Sequence, residues 1–417
     1  MEKLLIIGIN TRGLINSALK LPYQTYSVSY YSTLDFKVPY QEKHVLNQHP
    51  GKSCGFFEKE YRPDRLLELS LEYMEEVDKI VLSTGISPED FKGKFRKFKK
   101  KIIGNTNTDD LENKYKFYKK IREEYLTPRT FKIKYKNDIS EVNEIAKQYE
   151  GTSFIIKPLK GSGGYGISYL KYDKENEFKD RYLEEIGKKY QGCEGCDFLV
   201  QEYIKGMNIS SSVLSSNKKS KVIINSKILT ERDFGKKNSF KYCGNIVPIN
   251  YSQKRQVDIG QVNDISEKII EKFKLIGSNG IDMIIDKKSN NNEPYIIEIN
   301  PRFQGTYECV EEILGVNLLN AHIKACQGEL IEIPKPKPDE YSIKRIIYSD
   351  KKIKVGDLKI NDNIYDIPFK GVIIEKDEPL LTIVTSKNNI QNAKNIINNS
   401  VRKINENITI LNYSNSN

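Results

Sequence analysis

The segment that most restricts the fold is FIIKPLKGSGGYGI, residues 154–167, where a lysine precedes a turn containing four glycines. Apolar residues before the turn and ISYLKYD after it predict two strands joined by a glycine-rich loop. Gly161, Gly163 and Gly166 have the G-x-G-x-x-G spacing of phosphate-binding loops. A strand follows where a dinucleotide-binding turn needs a helix, Lys157 precedes the loop where a protein kinase has it afterwards, and no Walker ending is present.

What remains is a strand–turn–strand flap. Its backbone N–H groups, which carry no side-chain bulk, can close over a polyphosphate while Lys157 reaches in from the preceding strand. A plain glycine hairpin with an incidental lysine is the alternative interpretation.

A second segment, GIDMIIDKKSNNNEPYIIEINPRFQGT, predicts a β-hairpin with a polar turn centred on Asn290. One face of this hairpin is apolar if three pairs form: Ile281 with Ile299, Met283 with Ile297, and Ile285 with Tyr295. Asp282 then lies opposite Glu298, and Asn300 follows two positions along the same face. Two carboxylates and an amide oxygen are hard ligands that suit Mg²⁺, with phosphate oxygens completing its shell.

Arg302 follows this hairpin and is held by Pro301. Its planar and permanently charged guanidinium is suited to a phosphoryl or carboxylate group at the same site. A solvated hairpin with surface charges is the alternative, and the presence of the glycine flap in the same chain makes it the weaker interpretation.

The start of the chain predicts a separate domain. An apolar run at residues 4–9, a helical segment and two further strands indicate a parallel α/β domain of roughly 100 residues. Ligands of such sheets lie beyond the carboxyl ends of the strands, so we expect Asn10, Arg12, Thr84 and Gly85 at that edge. The prolines of IPKPKP, residues 333–338, indicate a linker to a small α+β region.

Composition limits the partners and the cellular location that we expect. The 417 residues include no run of 18 apolar residues, so we expect no membrane span and no membrane partner. Lysines along the whole chain account for the net charge of +11 better than a nucleic-acid partner does. Six cysteines do not form a disulfide framework, so we expect a cytoplasmic location. Cys193 and Cys196 could form half a zinc site or a redox pair, but a structural or incidental role is favoured.

With these motifs, residues from about Asn107 to Gln327 resemble the ATP-grasp superfamily. The whole chain resembles its archaeal-type predicted carboligases, which are similar to carboxylate–amine ligases and here carry a biotin-carboxylase-like tail. The expected fold class is therefore α/β and α+β. It comprises an N-terminal parallel α/β domain at 1–106, a two-lobed ATP-grasp domain at 107–332 and a small α+β C-terminal domain at 333–417. The lobes are expected at about 107–200 and 201–332.

The resemblance implies roles for individual residues. Lys114 and Lys157 would contact the α and β phosphates, and Arg302 and Lys157 would be catalytic. The flap would comprise Gly161, Ser162, Gly163 and Gly164. Adenine would be held by Gln201 and by the backbone of Glu202 and Ile204. Asp282, Glu298 and Asn300 fall on the metal positions.

Two positions depart from the family pattern. Asn208 stands where the family often has a ribose-binding Glu, and an amide there can still hydrogen-bond without charge. Gly280 stands where some ligases carry a catalytic Arg, which leaves Arg302 as the better candidate.

The implied activity is that of a ligase dependent on ATP and Mg²⁺ (or Mn²⁺), which activates a carboxylate as an acylphosphate and joins it to an amine or similar nucleophile. A bicarbonate-using carboxylase and a nucleotide-gated binding module without ligase activity are the alternatives. The expected partners are small-molecule carboxylate and amine substrates, while a monomer and a homodimer both stay open.

Overall fold

A computed structural model describes most of the chain. The residues that it describes are 1–36, 38, 41–53, 61–134, 140–149, 151–170, 197–249, 258–286, 293–358 and 362–411. None of the helices found in these ranges combines the length and the apolar character needed to cross a membrane. The C-E-G-C motif and the centre of the Asn-rich turn lie outside the described residues.

The N-terminal domain contains a parallel sheet flanked by a short helix on one face and a longer helix on the other. Its elements are β1 (Glu2–Gly8), α1 (Arg12–Ala18), β2 (Tyr23–Tyr31), β3 (Gln41–Leu46), α2 (Pro63–Glu76) and β4 (Lys79–Leu82), with the strand order β3-β2-β1-β4. Leu5 and Ile7 of β1 pack with α2, whereas Leu4 and Ile6 pack with α1 on the other face. A strand covered on both faces must be apolar throughout, which explains the continuous apolar run and confirms the parallel α/β prediction.

The first lobe that follows is built on a small antiparallel sheet. Its elements are α3 (Asp109–Glu112), α4 (Lys114–Ile121), β5 (Thr130–Lys134), α5 (Ser140–Gln148), β6 (Phe154–Pro158), β7 (Ser168–Leu170) and β8 (Asp197–Glu202), with the strand order β5-β8-β6-β7. Strands β6 and β7 pair with each other on either side of the glycine turn. This register confirms the strand–turn–strand prediction, because β7 begins at Ser168, where a dinucleotide-binding fold would begin a helix.

The second lobe is built on a large antiparallel sheet. In chain order its elements are β9 (Gly206–Ser215), β10 (Ser220–Thr230), β11 (Tyr242–Val247), α6 (Ile259–Lys272), β12 (Gly277–Asp286), β13 (Pro294–Asn300), α7 (Tyr307–Leu314) and α8 (Leu318–Cys326). Ile281 and Met283 face α6, where they pack against Ile269 and Ile270. The opposite, polar face of β9, β12 and β13 is thereby directed away from this core.

The C-terminal region continues this sheet. Its elements are β14 (Tyr341–Tyr348), β15 (Ile353–Val355), β16 (Ile364–Tyr365), β17 (Ile373–Ile374), β18 (Pro379–Lys387), α9 (Ile390–Asn405) and β19 (Ile408–Ile410). The large sheet has the order β13-β12-β9-β10-β11-β14-β18-β16, and β17-β15-β19 form a separate small sheet. Because β11 pairs with β14, the sheet crosses the predicted boundary between residues 332 and 333. The domain boundaries themselves stay predictions.

Candidate nucleotide and metal site

A cavity of about 930 Å³ lies between the two lobes. Its walls include β6 with the glycine turn, the segment after β8, and the β12–β13 hairpin. The loops after β1 and β4 and the C-terminal strands β14 and β18 also line it. All the residues predicted as catalytic, nucleotide-binding or metal-binding line this one cavity, although their individual roles stay predictions.

The β12–β13 hairpin places two carboxylates side by side. Asp282 pairs with Glu298, as predicted. The predicted pairing of Met283 with Ile297 is wrong, because the register shifts after Asp282 and Met283 pairs with Ile296. Ile297 is therefore the extra residue of a β-bulge, which re-aims neighbouring side chains. As a result Ile297 and Glu298 both line the cavity, and the last predicted pair fails too, since Ile285 pairs with Pro294.

The two carboxylates have opposite electrostatic environments. Burial raises the pKa of Asp282 above its ordinary value, and the neighbouring Glu298 adds to the shift. Burial opposes ionisation of Glu298 as well, but Lys114, Lys157 and Arg302 outweigh it and lower its pKa. A proton on this pair is therefore held at Asp282 rather than at Glu298. A divalent cation between these oxygens would replace that proton and remove the repulsion.

Asn300 occupies an intermediate position between the carboxylates and Arg302. Its amide nitrogen donates to Asp282 Oδ2 at 3.1 Å, and its oxygen accepts from Arg302 Nη2 at 3.2 Å. Metal ligation by this oxygen would require exchange of the bond to Arg302. Within the described ranges, no three His, Cys, Asp or Glu residues cluster as a metal site. The donor set that fits Mg²⁺ is thus the carboxylate pair, with the amide as a third ligand.

Two lysines face these carboxylates from the first lobe. Asn113 caps α4 by accepting hydrogen bonds from the N–H groups of Tyr115 and Lys116, which fixes Lys114 at the start of the helix. Lys114 Nζ lies 3.0 Å from Glu298 Oε2 and donates to Gly161 O at 2.7 Å. One ammonium group therefore joins the helix, the flap and the hairpin.

Lys157 on β6 is 2% exposed. Burial and, as a smaller cause, the positive charge of Lys114 lower its pKa to about 7, whereas Glu298 opposes the shift. An amine with this pKa gains a proton when an anion approaches it. Lys157 and Glu298 thus influence each other across the cavity, as the sequence argument requires.

The glycine flap is docked on the second lobe. Gly163 O accepts a hydrogen bond of 2.8 Å from the N–H of Tyr242. A Cβ atom on Gly164, whose φ is +73°, would lie 2.0 Å from Phe240 O. A side chain at this position is therefore excluded both by the backbone conformation and by the close approach of the 240–242 segment.

The C-terminal region also contacts the flap. Tyr348 OH donates to Tyr242 O at 2.9 Å and forms a hydrogen bond with Tyr165 of the flap. Lys241 Nζ lies 4.7 Å from the centre of the Tyr348 ring and 5.7 Å from that of Tyr165. The docked flap is therefore in contact with a residue from the third predicted domain.

The end of β8 and the segment that follows it form the wall next to the flap. Gln201 is buried and its amide donates to Thr130 Oγ1 at 2.8 Å. The N–H of Glu202 donates to Arg129 O at 2.8 Å, so a backbone contact from Glu202 to a base must use its carbonyl. Ile204 lines the cavity and contributes an apolar surface.

A cation–aromatic cluster next to this wall was not predicted from the sequence. The Arg232 guanidinium carbon lies 5.1 Å from the ring centre of Tyr169, 5.2 Å from that of Tyr203 and 5.3 Å from that of Phe240. Arg232 Nη1 also donates to Tyr203 OH at 2.6 Å. The four residues come from separate segments, so no spacing in the sequence reveals the cluster.

Only part of the expected ligand edge of the N-terminal domain lines the cavity. Asn10 and Thr84 line the cavity. Arg12 is instead buried in ion pairs, with Nε 2.7 Å from Asp366 Oδ1 and Nη1 2.7 Å from Glu308 Oε1. This guanidinium joins the N-terminal domain, helix α7 and the C-terminal region, so its position serves assembly of the cavity wall.

Comparison with known proteins agrees with this geometry. A family model described as the ATP-grasp domain matches residues 111–306. The uncharacterized protein MJ0776 of Methanocaldococcus jannaschii is 33% identical over 400 residues, covering 95% of this chain and 90% of that protein. The chain belongs to the ATP-grasp superfamily. The resemblance predicted from the sequence is therefore confirmed, and the matched stretch of this ATP-grasp protein runs from just before the helix that carries Lys114 to just past Arg302.

Two further comparisons concern activity and fold. Tyramine–L-glutamate ligase of Methanocaldococcus fervens is 26% identical over 259 residues, covering 59% of this ATP-grasp chain and 67% of that ligase. The biotin carboxylase domain dimer of the Hydrogenobacter thermophilus 2-oxoglutarate carboxylase, solved with MgADP, ADP and bicarbonate, superposes with a TM-score of 0.69. That match is 18% identical and covers 98% of this chain and 90% of that one, so it shows a shared fold.

Proposed function

We propose that this ATP-grasp protein is an ADP-forming ligase that activates a carboxylate as an acylphosphate and joins it to an amine. One observation carries the proposal: Lys157 and Lys114 of one lobe and Asp282 and Glu298 of the other line the same flap-covered cavity. Two ammonium groups that face a carboxylate pair across one cavity suit a triphosphate with its metal ion. The relation to tyramine–L-glutamate ligase supports amide-bond formation as the reaction.

The proposed chemistry proceeds in two balanced steps. A carboxylate oxygen of the first substrate attacks the γ-phosphorus, and the bond to the bridging oxygen of ADP breaks. The amine nitrogen then attacks the acyl carbon, inorganic phosphate leaves and the amine loses a proton. Neither step needs a protein nucleophile, so positioning and charge stabilisation are the tasks left to the protein.

The residues described above would perform these two tasks. Lys114 and Lys157 hold the phosphates, and Arg302 stabilises charge that develops on the transferred phosphoryl group. Bound Mg²⁺ would neutralise phosphate charge, with Asp282, Glu298 and Asn300 as its protein ligands. The flap residues from Gly161 to Gly164 close over the phosphates and exclude water, which would otherwise hydrolyse the acylphosphate.

The nucleoside would lie along the segment after β8. Gln201 and the backbone groups of Glu202 and Ile204 would meet the adenine, and Asn208 would meet the ribose. The organic substrates would occupy the part of the cavity that is lined by the loops after β1 and β4 and by strands β14 and β18. An amino-acid-sized carboxylate and an amine fit this placement of nucleoside and organic substrates in separate parts of the cavity. Cytoplasmic location and homodimer formation stay predictions.

Hydroxylamine trapping tests the acylphosphate without knowledge of the natural amine. The purified protein is incubated with ATP, Mg²⁺, hydroxylamine and a panel of carboxylates that includes L-glutamate, and hydroxamate and ADP are measured. The ligase predicts equal amounts of both with at least one carboxylate. Lys157→Met should abolish both products, whereas Lys160→Met, which changes an exposed lysine three positions away, should not.

The same experiment separates the alternatives. ADP release that requires bicarbonate and yields no hydroxamate would support a carboxylase, which the shared biotin carboxylase fold favours. Tight nucleotide binding with no ADP release from any carboxylate would support a binding module and contradict the ligase.

A further inference from the structure

The polar face that carries the carboxylate pair is organised as a grid across three strands. The register of β9, β12 and β13 places residues in two neighbouring rows. The first row is Ser210, Asp282 and Glu298, and the second is Ser212, Gly280 and Asn300. Every position except Gly280 carries a polar side chain, so the centre of the second row is open.

Gln304, from the loop after β13, fills that opening. It is 9% exposed, and a Cβ atom built on Gly280 would lie 1.9 Å from Gln304 Nε2. Real Cβ atoms do not approach other heavy atoms this closely, so the amide occupies the space of any side chain at position 280. The glycine that departs from the family pattern is therefore matched by a glutamine from elsewhere in the chain.

The amide connects the two rows through a directional series of hydrogen bonds. Ser212 Oγ donates to Gln304 Oε1 at 2.8 Å, and Gln304 Nε2 donates to Ser210 Oγ at 2.5 Å. Ser210 Oγ in turn donates to Asp282 Oδ1 at 2.5 Å. Since the Ser210 oxygen accepts from the amide, its hydrogen is directed to the carboxylate.

We propose that Gln304 is a positioning residue for the metal site. It occupies the space above Gly280 and, through Ser210, fixes the orientation of the Asp282 carboxylate that would ligate the metal. The inference rests on the proposed nucleotide and metal site. It also explains Gly280: an arginine there would displace the amide and break its hydrogen bond to Ser210, which orients the Ser210 hydroxyl toward Asp282.

Calorimetry with the non-hydrolysable analogue adenylyl imidodiphosphate tests this role on the full chain. The quantity is the ratio of its dissociation constants without and with Mg²⁺, which reports the metal site separately from the nucleotide site. Gln304→Leu should lower this ratio about tenfold, as expected when Ser210, no longer held by the amide, loses its hydrogen bond to the Asp282 carboxylate. Gly280→Ala should lower it similarly while keeping the glutamine, because the new methyl group ejects the amide.

Two further variants make the test specific. Ser210→Ala should lower the ratio, and the double variant with Gln304→Leu should lower it no further, because both changes break one series of hydrogen bonds. Asn225→Leu is the matched control, since this equally buried amide on β10 bonds Ser211 and Asn263 and does not line the cavity. It should lower the melting temperature and leave the ratio unchanged.

The outcomes distinguish this inference from the proposed function. If the unchanged protein gains affinity with Mg²⁺ and folded Gln304→Leu gains as much, Gln304 is structural and the inference is wrong. If Gln304→Leu does not fold, Gly280→Ala and Ser210→Ala decide, and an undiminished ratio in both overturns the inference. If the unchanged protein does not bind the nucleotide, the proposed function fails and this inference fails with it.

Discussion

Nucleotide binding should take up a proton at Lys157. Burial and Lys114 lower the pKa of this side chain to about 7 in the free protein. A triphosphate beside it favours the ammonium form and raises the pKa again. Below pH 7 Lys157 is already mostly protonated in the free protein, so binding requires little proton uptake. Above pH 7 Lys157 must gain a proton on binding, so the affinity for the nucleotide falls as the pH rises.

The size of the effect follows from the same pKa. If only the ammonium form binds the nucleotide, the dissociation constant scales with 1 + 10^(pH − 7) and rises about 16-fold between pH 7 and pH 8.5. At pH 8.5 nearly all the free protein is neutral at this position, so binding takes up about one proton.

Calorimetry in two buffers of different ionisation enthalpy measures this uptake directly. Lys157→Arg is the control, because a guanidinium stays charged over this range and should bind without proton uptake at that position. Subtracting the proton uptake of Lys157→Arg from that of the unchanged protein removes the contributions of all other groups. Equal proton uptake by the unchanged protein and by Lys157→Arg would refute the assignment of Lys157 to the phosphates.

Four other changes test separate parts of the site. Glu298→Ala should abolish ATP turnover in a coupled ADP assay while circular dichroism shows an intact fold, and full activity would refute its role. Asp282→Ala should lose Mg²⁺-dependent nucleotide binding, so unchanged affinity in calorimetry would contradict the hairpin assignment. Tyr348→Phe removes the hydroxyl that bonds Tyr242 and Tyr165 beside the docked flap, and hydrogen exchange of residues 161–166 should be about fivefold faster; unchanged exchange would mean that Tyr348 does not stabilise the docked flap. Arg12→Met leaves Asp366 without its guanidinium partner and should lower the free energy of unfolding in urea by about 3–5 kcal/mol, whereas a loss below 1 kcal/mol would mean that the ion pairs contribute little.

The hairpin shows how far sequence reasoning extends. Alternation of apolar and polar residues was enough to place Asp282 opposite Glu298, because one face must be buried against α6. The bulge at Ile297 was not foreseen. A bulge depends on how three neighbouring strands accommodate each other, and two strands read in isolation do not contain that information.

The glycine flap and the Arg12 ion pairs likewise depend on partners that are distant in the sequence. The glycines at 161–166 predicted a close approach of backbone, yet the partner that approaches, the 240–242 segment, is about 80 residues away in sequence. Arg12 was expected at a ligand edge, where a strand end normally exposes such a side chain. It is instead buried against Asp366, and no local pattern links two residues so distant in the chain.

By itself, the sequence determined the residue types of the site and the strands that carry them, because local periodicity and turn chemistry depend only on neighbouring residues. Tertiary structure alone decided that Gln304 fills the space above Gly280, that Tyr348 reaches the flap and that Arg12 joins three segments. These contacts depend on packing between distant segments, where a displacement of one ångström makes or breaks a hydrogen bond.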